Sequence, residues 1–241
     1  KANEITTAKD KRTVEISGLG QIKSGFEKME TSLAPIEKVT GLAVASSGTG
    51  MAVEISDARV AKNFSHAMNI NTVAAAQTLV FGNYSSETAS VGTGSLAFSF
   101  GTWAANGTFS ANSARTAKTV TIASGSGTLE GLRDAINTAD MQVTASILKT
   151  SSTSYSLVLQ SREGAAHAMQ IAVTEDDAAA GLNGFAYTSV NNSTQTIAAA
   201  DASFTMDGAT ITRDSNEITD LVDGVKLTIK STTSAAETVS G

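Results

Sequence analysis

The sequence predicts an α+β chain that is mainly β, with one N-terminal helix ahead of many short strands. Three observations carry this. The first ~35 residues repeat their apolar positions with the heptad spacing of a helix seam. From Leu42 onward apolar and polar residues alternate with the period of two that half-buried strands need. Between Gly127 and Gly164 both periods meet in one short unit, a helix followed by a hairpin.

At the N-terminus, Leu19, Ile22, Phe26, Met29 and Leu33 fall at a and d positions of a heptad. Counting back in register places Ile5 and Ala8 on the seam, but also Arg12 and Glu15, so charge interrupts it. Two readings stand: one arm of a coiled coil whose partner strand lies outside this sequence, or a single amphipathic helix packed on a globular core. Pro35 is expected to end the helix or to begin a linker, since it lacks the backbone donor a helix interior uses.

The β part follows in order. Ala52–Ile55 is a short strand and His66–Val73 a longer one, with Met68 and Ile70 on one face. Gly94–Gly101 alternates Leu96, Phe98 and Phe100. Thr102–Ala117 reads as a long loop or ragged hairpin with Trp103 near its base, and Lys118–Ala123 pairs with the strand before it. Met169–Val173 is another strand, and Glu175–Gly184 an acidic, alanine-rich turn or short helix.

In the helix–hairpin unit, Thr128 is the expected N-cap and Glu130 lies in the first turn, where the helix dipole favours an anion. Leu129, Leu132, Ile136 and Ala139 form one apolar stripe. Val143, Ala145 and Ile147 then alternate as a strand, the polar KTSSTS turns the chain, and Leu157 and Leu159 return. Near the C-terminus, Phe204 and Met206 precede Asp207-Gly208, a strong two-residue hairpin signal, with Ile211 on the return strand. Ser215 is expected to cap a helical turn carrying Ile218, Leu221 and Val222, closed by Gly224. Val225, Leu227 and Ile229 form a last strand.

Composition bounds the function. Of 241 residues, 41% are hydrophobic and 17% charged, which describes a folded chain. Only 5% are aromatic, so the cores must be built from Val, Ile, Leu and Ala. A net charge of −6 argues against a nucleic-acid partner, and Asp10 interrupts the densest basic cluster, Lys9, Lys11 and Arg12. With no cysteine, disulfides, thiol catalysis and thiolate metal sites are excluded. No apolar run reaches the ~18 residues of a membrane helix, so no membrane insertion is expected. Lys1 in place of Met suggests a piece of a longer chain.

Chemistry-bearing patterns are weak. The two histidines, His66 and His167, lie about 100 residues apart. Gly125-Ser126-Gly127 lacks the lysine and spacing of a phosphate loop and reads as a tight turn. Glu175, Asp176 and Asp177 are consecutive, so they diverge, and they do not match a calcium loop. The Asn-x-Ser/Thr triplets at Asn83, Asn106, Asn191 and Asn192 are expected by chance in a chain so rich in Ser and Thr. No catalytic residue, metal or cofactor is expected, and the protein is read as not an enzyme.

TLEGLRDAINTADMQVTASI followed by YSLVLQSREG resembles the flagellin IN motif found in flagellins and flagellar hook-associated proteins. Two other segments resemble one family among these. ADASFTMDGATITRDSNEITDLVDGVKLTI, with Asp201, Ala202, Asp207, Gly208, Arg213, Asn216 and Asp223-Gly224 as matching positions, is similar to the flagellar filament cap (FliD, hook-associated protein 2) family. HAMNINTVAAAQTL resembles the family's Tyr-x-Ile-x-Val-x-x-Leu-Ala-x-x-Gln segment, with His66 for the aromatic and Val73 for the leucine.

That resemblance implies a structural cap subunit at the distal tip of the bacterial flagellum, promoting folding and insertion of exported flagellin. It implies a leg helix over 1–41 with Leu19, Ile22, Phe26, Met29 and Leu33 as coiled-coil contacts. Two β-rich head domains would follow, 42–90 with 195–235 and an inserted 91–194, and 236–241 would begin a linker to a further coiled coil. The implied partners are further copies in a homo-oligomeric ring, flagellin, hook-associated junction proteins and an export chaperone before secretion by the flagellar type III pathway. The alternatives are a flagellin or hook–filament junction protein, and a secreted adhesin or carbohydrate-binding module.

Overall fold

The computed structural model describes residues 2–39, 43–176, 178–191 and 193–241, with helix side chains at 9, 12 and 15–32. α1 (Ala2–Val39) is followed by β1 (Ala45–Ser46), β2 (Met51–Ile55), β3 (Ser65–Thr72), β4 (Ala76–Tyr84), β5 (Gly94–Trp103), β6 (Phe109–Ala111) and β7 (Lys118–Ile122). Then come α2 (Leu129–Thr138), β8 (Val143–Lys149), β9 (Tyr155–Glu163), β10 (Ala168–Glu175) and β11 (Gln195–Ile197). The last strands are β12 (Ala202–Met206), β13 (Ala209–Arg213), β14 (Glu217–Ile218), β15 (Val225–Ile229) and β16 (Glu237–Ser240). The fold is mainly β, with an N-terminal helix followed by several antiparallel sheets.

Among the described residues, four sheets enclose two apolar cores. The sheet β1-β16-β3-β12-β13 and the sheet β14-β15-β2 bury Met51, Met68, Ile70, Phe204, Leu227 and Val239, among others. The sheet β11-β4-β9-β8, together with α2 and the sheet in which β10, β6 and β7 all pair with β5, buries Leu79, Leu96, Phe98, Leu132, Ile136 and Leu157. We call these the base unit and the upper unit.

Local sequence explains most elements. In α2, the Thr128 hydroxyl accepts from Gly131 N at 3.2 Å, and Leu129, Leu132 and Ile136 are fully buried on one stripe. Asp207 and Gly208 both take positive φ, 51° and 86°, as the tight hairpin joining β12 to β13 demands. Thr102–Ala117 is a ragged hairpin: β6 pairs Ala111 with Gly101 and Phe109 with Trp103.

Several expectations are corrected. α1 runs through Pro35 to Val39; a proline removes one intrahelical bond, which weakens a helix without ending it when neighbouring turns hold. The packed-helix reading fails for the described side chains, because Leu19, Ile22 and Phe26 are 65%, 58% and 63% exposed. β4, which falls within the expected 42–90 domain, instead pairs with β9 and sends Leu79 and Phe81 into the upper core. β11 pairs with β4, so 195–197 belongs there too. Residues 237–240, expected as linker, form β16, with Val239 buried between β1 and β3. The Ser215 turn starts a strand and not a helix. Ile218 lies opposite Leu227 in a ladder, and the Ser215 hydroxyl accepts from Glu217 N at 3.1 Å, a local turn that serves either outcome.

Candidate functional site

α1 presents its seam to solvent. Leu19, Ile22, Phe26 and Met29 are all more than half exposed, and Ile16 extends the strip at 69%. The side chains of Leu33, Ile5 and Ala8 lie outside the described residues. On the polar side, Lys23 reaches Glu27 at 3.8 Å, an i,i+4 pair. Arg12 and Glu15, which interrupt the heptads, are exposed. Large apolar side chains repeated along an open helix mark a surface that buries against another chain segment.

The candidate chemical residues have structural roles. His66 Nδ1 lies 2.6 Å from Asp207 Oδ2, while Asp207 Oδ1 accepts from Ala67 N at 2.9 Å. Asp207 is held below the usual carboxylate range by the bond from His66 and then by that from Ala67. Glu175 accepts from Gly181 N, from Asn183 N at 3.1 Å and from the Asn183 amide at 2.9 Å. Those donors lower its pKa and fold the acidic, alanine-rich turn around it. Asp176 accepts from Thr93 Oγ1 and Ala178 N; Asp177 and Asn192 lie outside the described residues. Among the described residues no cluster of His, Cys, Asp or Glu could hold a metal ion, and no helix is long and apolar enough to cross a membrane.

The junction between the units carries a polar network. Glu163, at the end of β9, accepts from Ser215 Oγ at 2.7 Å and from Asn216 Nδ2 at 2.7 Å. Asn216 also clamps Ala74, accepting from its N at 2.9 Å and donating to its O at 2.9 Å. Arg162 donates to Asp214 at 3.0 Å, and Asp201 accepts from Ala165 N at 2.7 Å. Sequence spacing does not place Glu163 beside Asn216; only the fold joins positions 53 apart.

All but Asp223 of the matching positions quoted for the resemblance have a visible structural role. Asp201 and Asn216 pin the junction, and Ala202 is fully buried. Asp207 and Gly208 make the hairpin, and Arg213 grips Asp220 through two nitrogens. Gly224, at φ 72°, accepts from Ser56 N and Asp57 N, where a Cβ would press on the backbone of Asp57 and Ala61. In the helix–hairpin unit, Asn137 donates to Ala145 O at 2.9 Å and accepts from Ala145 N at 2.8 Å. It thereby covers part of the outer edge of β8.

The described residues thus form an antiparallel β body whose polar side chains hold loops and junctions, preceded by a long helix with an open apolar seam. Comparison with known proteins agrees. The family model "Flagellar hook-associated protein 2 C-terminus" matches residues 199–240. The chain is 35% identical over 117 residues to the flagellar hook-associated protein 2 of Salmonella typhimurium, covering 48% of this chain and 25% of the relative. It is 26% identical over 218 residues to that of Escherichia coli O157:H7, covering 90% of this chain and 45% of the relative. The flagellar cap protein FliD D1-D2-D3 structure from Escherichia coli superposes with a TM-score of 0.68 at 25% identity, over 84% of this chain and 57% of that one. Its D2-D3 structure gives 0.65 at 24% identity, over 82% and 96%. Across these comparisons the chain is similar to the flagellar hook-associated protein 2 (FliD) family, and it spans between a quarter and a half of the length of these curated relatives.

Proposed function

We propose that the protein is a structural cap subunit at the distal tip of the bacterial flagellar filament, outside the cell, where it promotes folding and insertion of exported flagellin. The family is structural and not enzymatic. The observation that carries the reading onto this chain is the open seam of α1 on a body with the family's fold. In this reading α1 is the leg, and Leu19, Ile22, Phe26, Met29 and Leu33 are its coiled-coil contacts.

The two β units act as head domains, the upper inserted in the base near residues 75 and 200, and the unit from 127 to 164 serves as a flagellin-type IN motif within the upper one. β1 and β16 are antiparallel neighbours, and Phe64 and Gly241 exchange backbone bonds at 2.9 and 3.0 Å beside them. The partners are further copies in a ring, flagellin, hook-associated junction proteins and an export chaperone.

The test is complementation of a cap-deleted strain with the full-length protein containing this chain, with fluorescent labelling of the product. Tip foci and restored filaments are expected. Labelling along the filament would favour a flagellin or junction role, and saturable binding on a glycan array without tip foci would favour an adhesin.

A further inference from the structure

One group at the junction does more than hold it. His167 is buried at the start of β10, in the short 3-10 turn Ala165–His167. Its Nδ1 lies 3.0 Å from Arg115 Nη1 and its Nε2 lies 3.5 Å from Asp214 Oδ2. A guanidinium has no lone pair to offer, so Nδ1 must accept and the ring proton sits on Nε2, facing the carboxylate. A neutral imidazole is therefore what lets Arg115 bind.

Arg115 tethers the C-terminal part of the segment 112–117 between β6 and β7, while Asn112 ties its start through its N to Phe100 O at 2.7 Å and its amide to Ala166 O at 3.3 Å. Its other terminal nitrogen donates to Met141 O at 2.7 Å, and its guanidinium lies 3.8 Å from the centre of the Phe100 ring. Asp214 belongs to the base unit and is shared with Arg162, whose Nη2 reaches the same Oδ2.

We propose that Arg115, His167 and Asp214 form a proton-operated clasp that exchanges one attachment for another. When Nδ1 takes a proton it can no longer accept from Arg115, and two cations then face each other at hydrogen-bond distance. Arg115 withdraws and segment 112–117 loosens. The imidazolium meanwhile gains charge against Asp214, so the long 3.5 Å contact across the two units tightens.

The charged groups facing His167 are Arg115 from the β6–β7 segment, Arg162 from β9 and Asp214 from the base unit. Asp201 faces the same turn at Ala165 N, and Lys118 and Asp140 lie further along the Arg115 groove. Burial, then the two guanidinium groups, hold the imidazole neutral below its ordinary range, against the pull of Asp214.

The experiment is hydrogen–deuterium exchange and imidazole NMR on this chain between pH 4.5 and 8. After correction for intrinsic rates, exchange of the 112–117 amides should rise about tenfold as His167 takes its proton, while 213–216 does not loosen. In His167→Gln, whose amide does not titrate here, that pH dependence should vanish. In Arg115→Gln, the His167 titration should move to higher pH. Titration of His167 with no change in 112–117 would overturn the proposal, as would loosening that survives in His167→Gln or an unmoved titration in Arg115→Gln. The wild-type measurements decide the matter even where a variant folds poorly.

Discussion

Replacing Asn216 by alanine should separate the two units' fates more than any other single change at the junction. The Asn216 side chain makes three hydrogen bonds, two to the backbone of Ala74 at 2.9 Å and one to Glu163 Oε2 at 2.7 Å. Ala74 is buried, 6% exposed, so its freed N–H and C=O find water only with difficulty. Each neutral bond is worth about 1 kcal/mol and the bond to the carboxylate about 1.5–3 kcal/mol. Allowing for water reaching the partly buried Glu163, the loss should be about 3 kcal/mol.

Asn216→Asp is nearly isosteric and sharper. It keeps the acceptor for Ala74 N, loses both donors and sets a second carboxylate against Glu163, so at neutral pH it should cost more than the alanine. The excess should shrink on acidification towards pH ~4, where one of two facing carboxylates takes a proton. Urea denaturation followed by Trp103 fluorescence and by circular dichroism reads this, since the one tryptophan reports the upper unit while dichroism reports both. Alanine within about 1 kcal/mol of the parent would refute the clamp, as would an aspartate no worse than the alanine at neutral pH.

Three further outcomes are expected. Leu19→Asp with Phe26→Asp should abolish self-association, measured by sedimentation velocity on the full-length protein, while leaving the melting of the β body unchanged, because both side chains are more than 60% exposed and belong to neither core. Asn137→Ala should cost about 1–2 kcal/mol by urea denaturation and speed aggregation, because it uncovers the backbone of Ala145 on the edge strand β8. Stability should fall as pH drops below about 6.5: His167 has a lowered folded pKa, so the unfolded chain binds the proton first, and its contribution is full above the unfolded value and lost as pH falls towards the folded one. His167→Gln should flatten that slope in a thermal-melt series from pH 5 to 7.

Much of the fold is legible wherever the determining contacts are local. The α2–β8–β9 unit and the β12–β13 hairpin were readable because cap, stripe, alternation and turn lie within a few residues of one another. Elements whose partners lie far away were not. β16 is the polar stretch ETVS with Val239 as its one core residue, and nothing nearby says that β1 and β3 will flank it from positions 45 and 65. β14 departs from expectation because Ile218, Leu221 and Val222 carry helical spacing, and only the ladder to β15 decides against it. β4 joins the other core although His66–Leu79 reads as one segment, because the chain passes between units at Ala74 and Ala75. The seam of α1 was the reverse case: its positions were plain, and its open exposure is what only three dimensions could add.

These placements make assembly and folding separable properties. The seam residues Leu19, Ile22, Phe26 and Met29 are spent on neither core, whereas Glu163, Asn216, Asp201 and Asp214 are spent wholly on the junction. If the seam is the proposed coiled-coil contact, a seam substitution changes an association constant without moving the body's unfolding, and a junction substitution does the opposite. The junction also has a geometric lock. Gly164 sits at φ 105°, and a Cβ there would come within 2.8 Å of Asp214, so the crossing is closed to side chains at the point where Arg162 and His167 converge. Such a closed crossing stiffens the joint, so a displacement of one β unit is passed to the other through the Arg162, His167 and Asp214 contacts and is not taken up by the backbone between them.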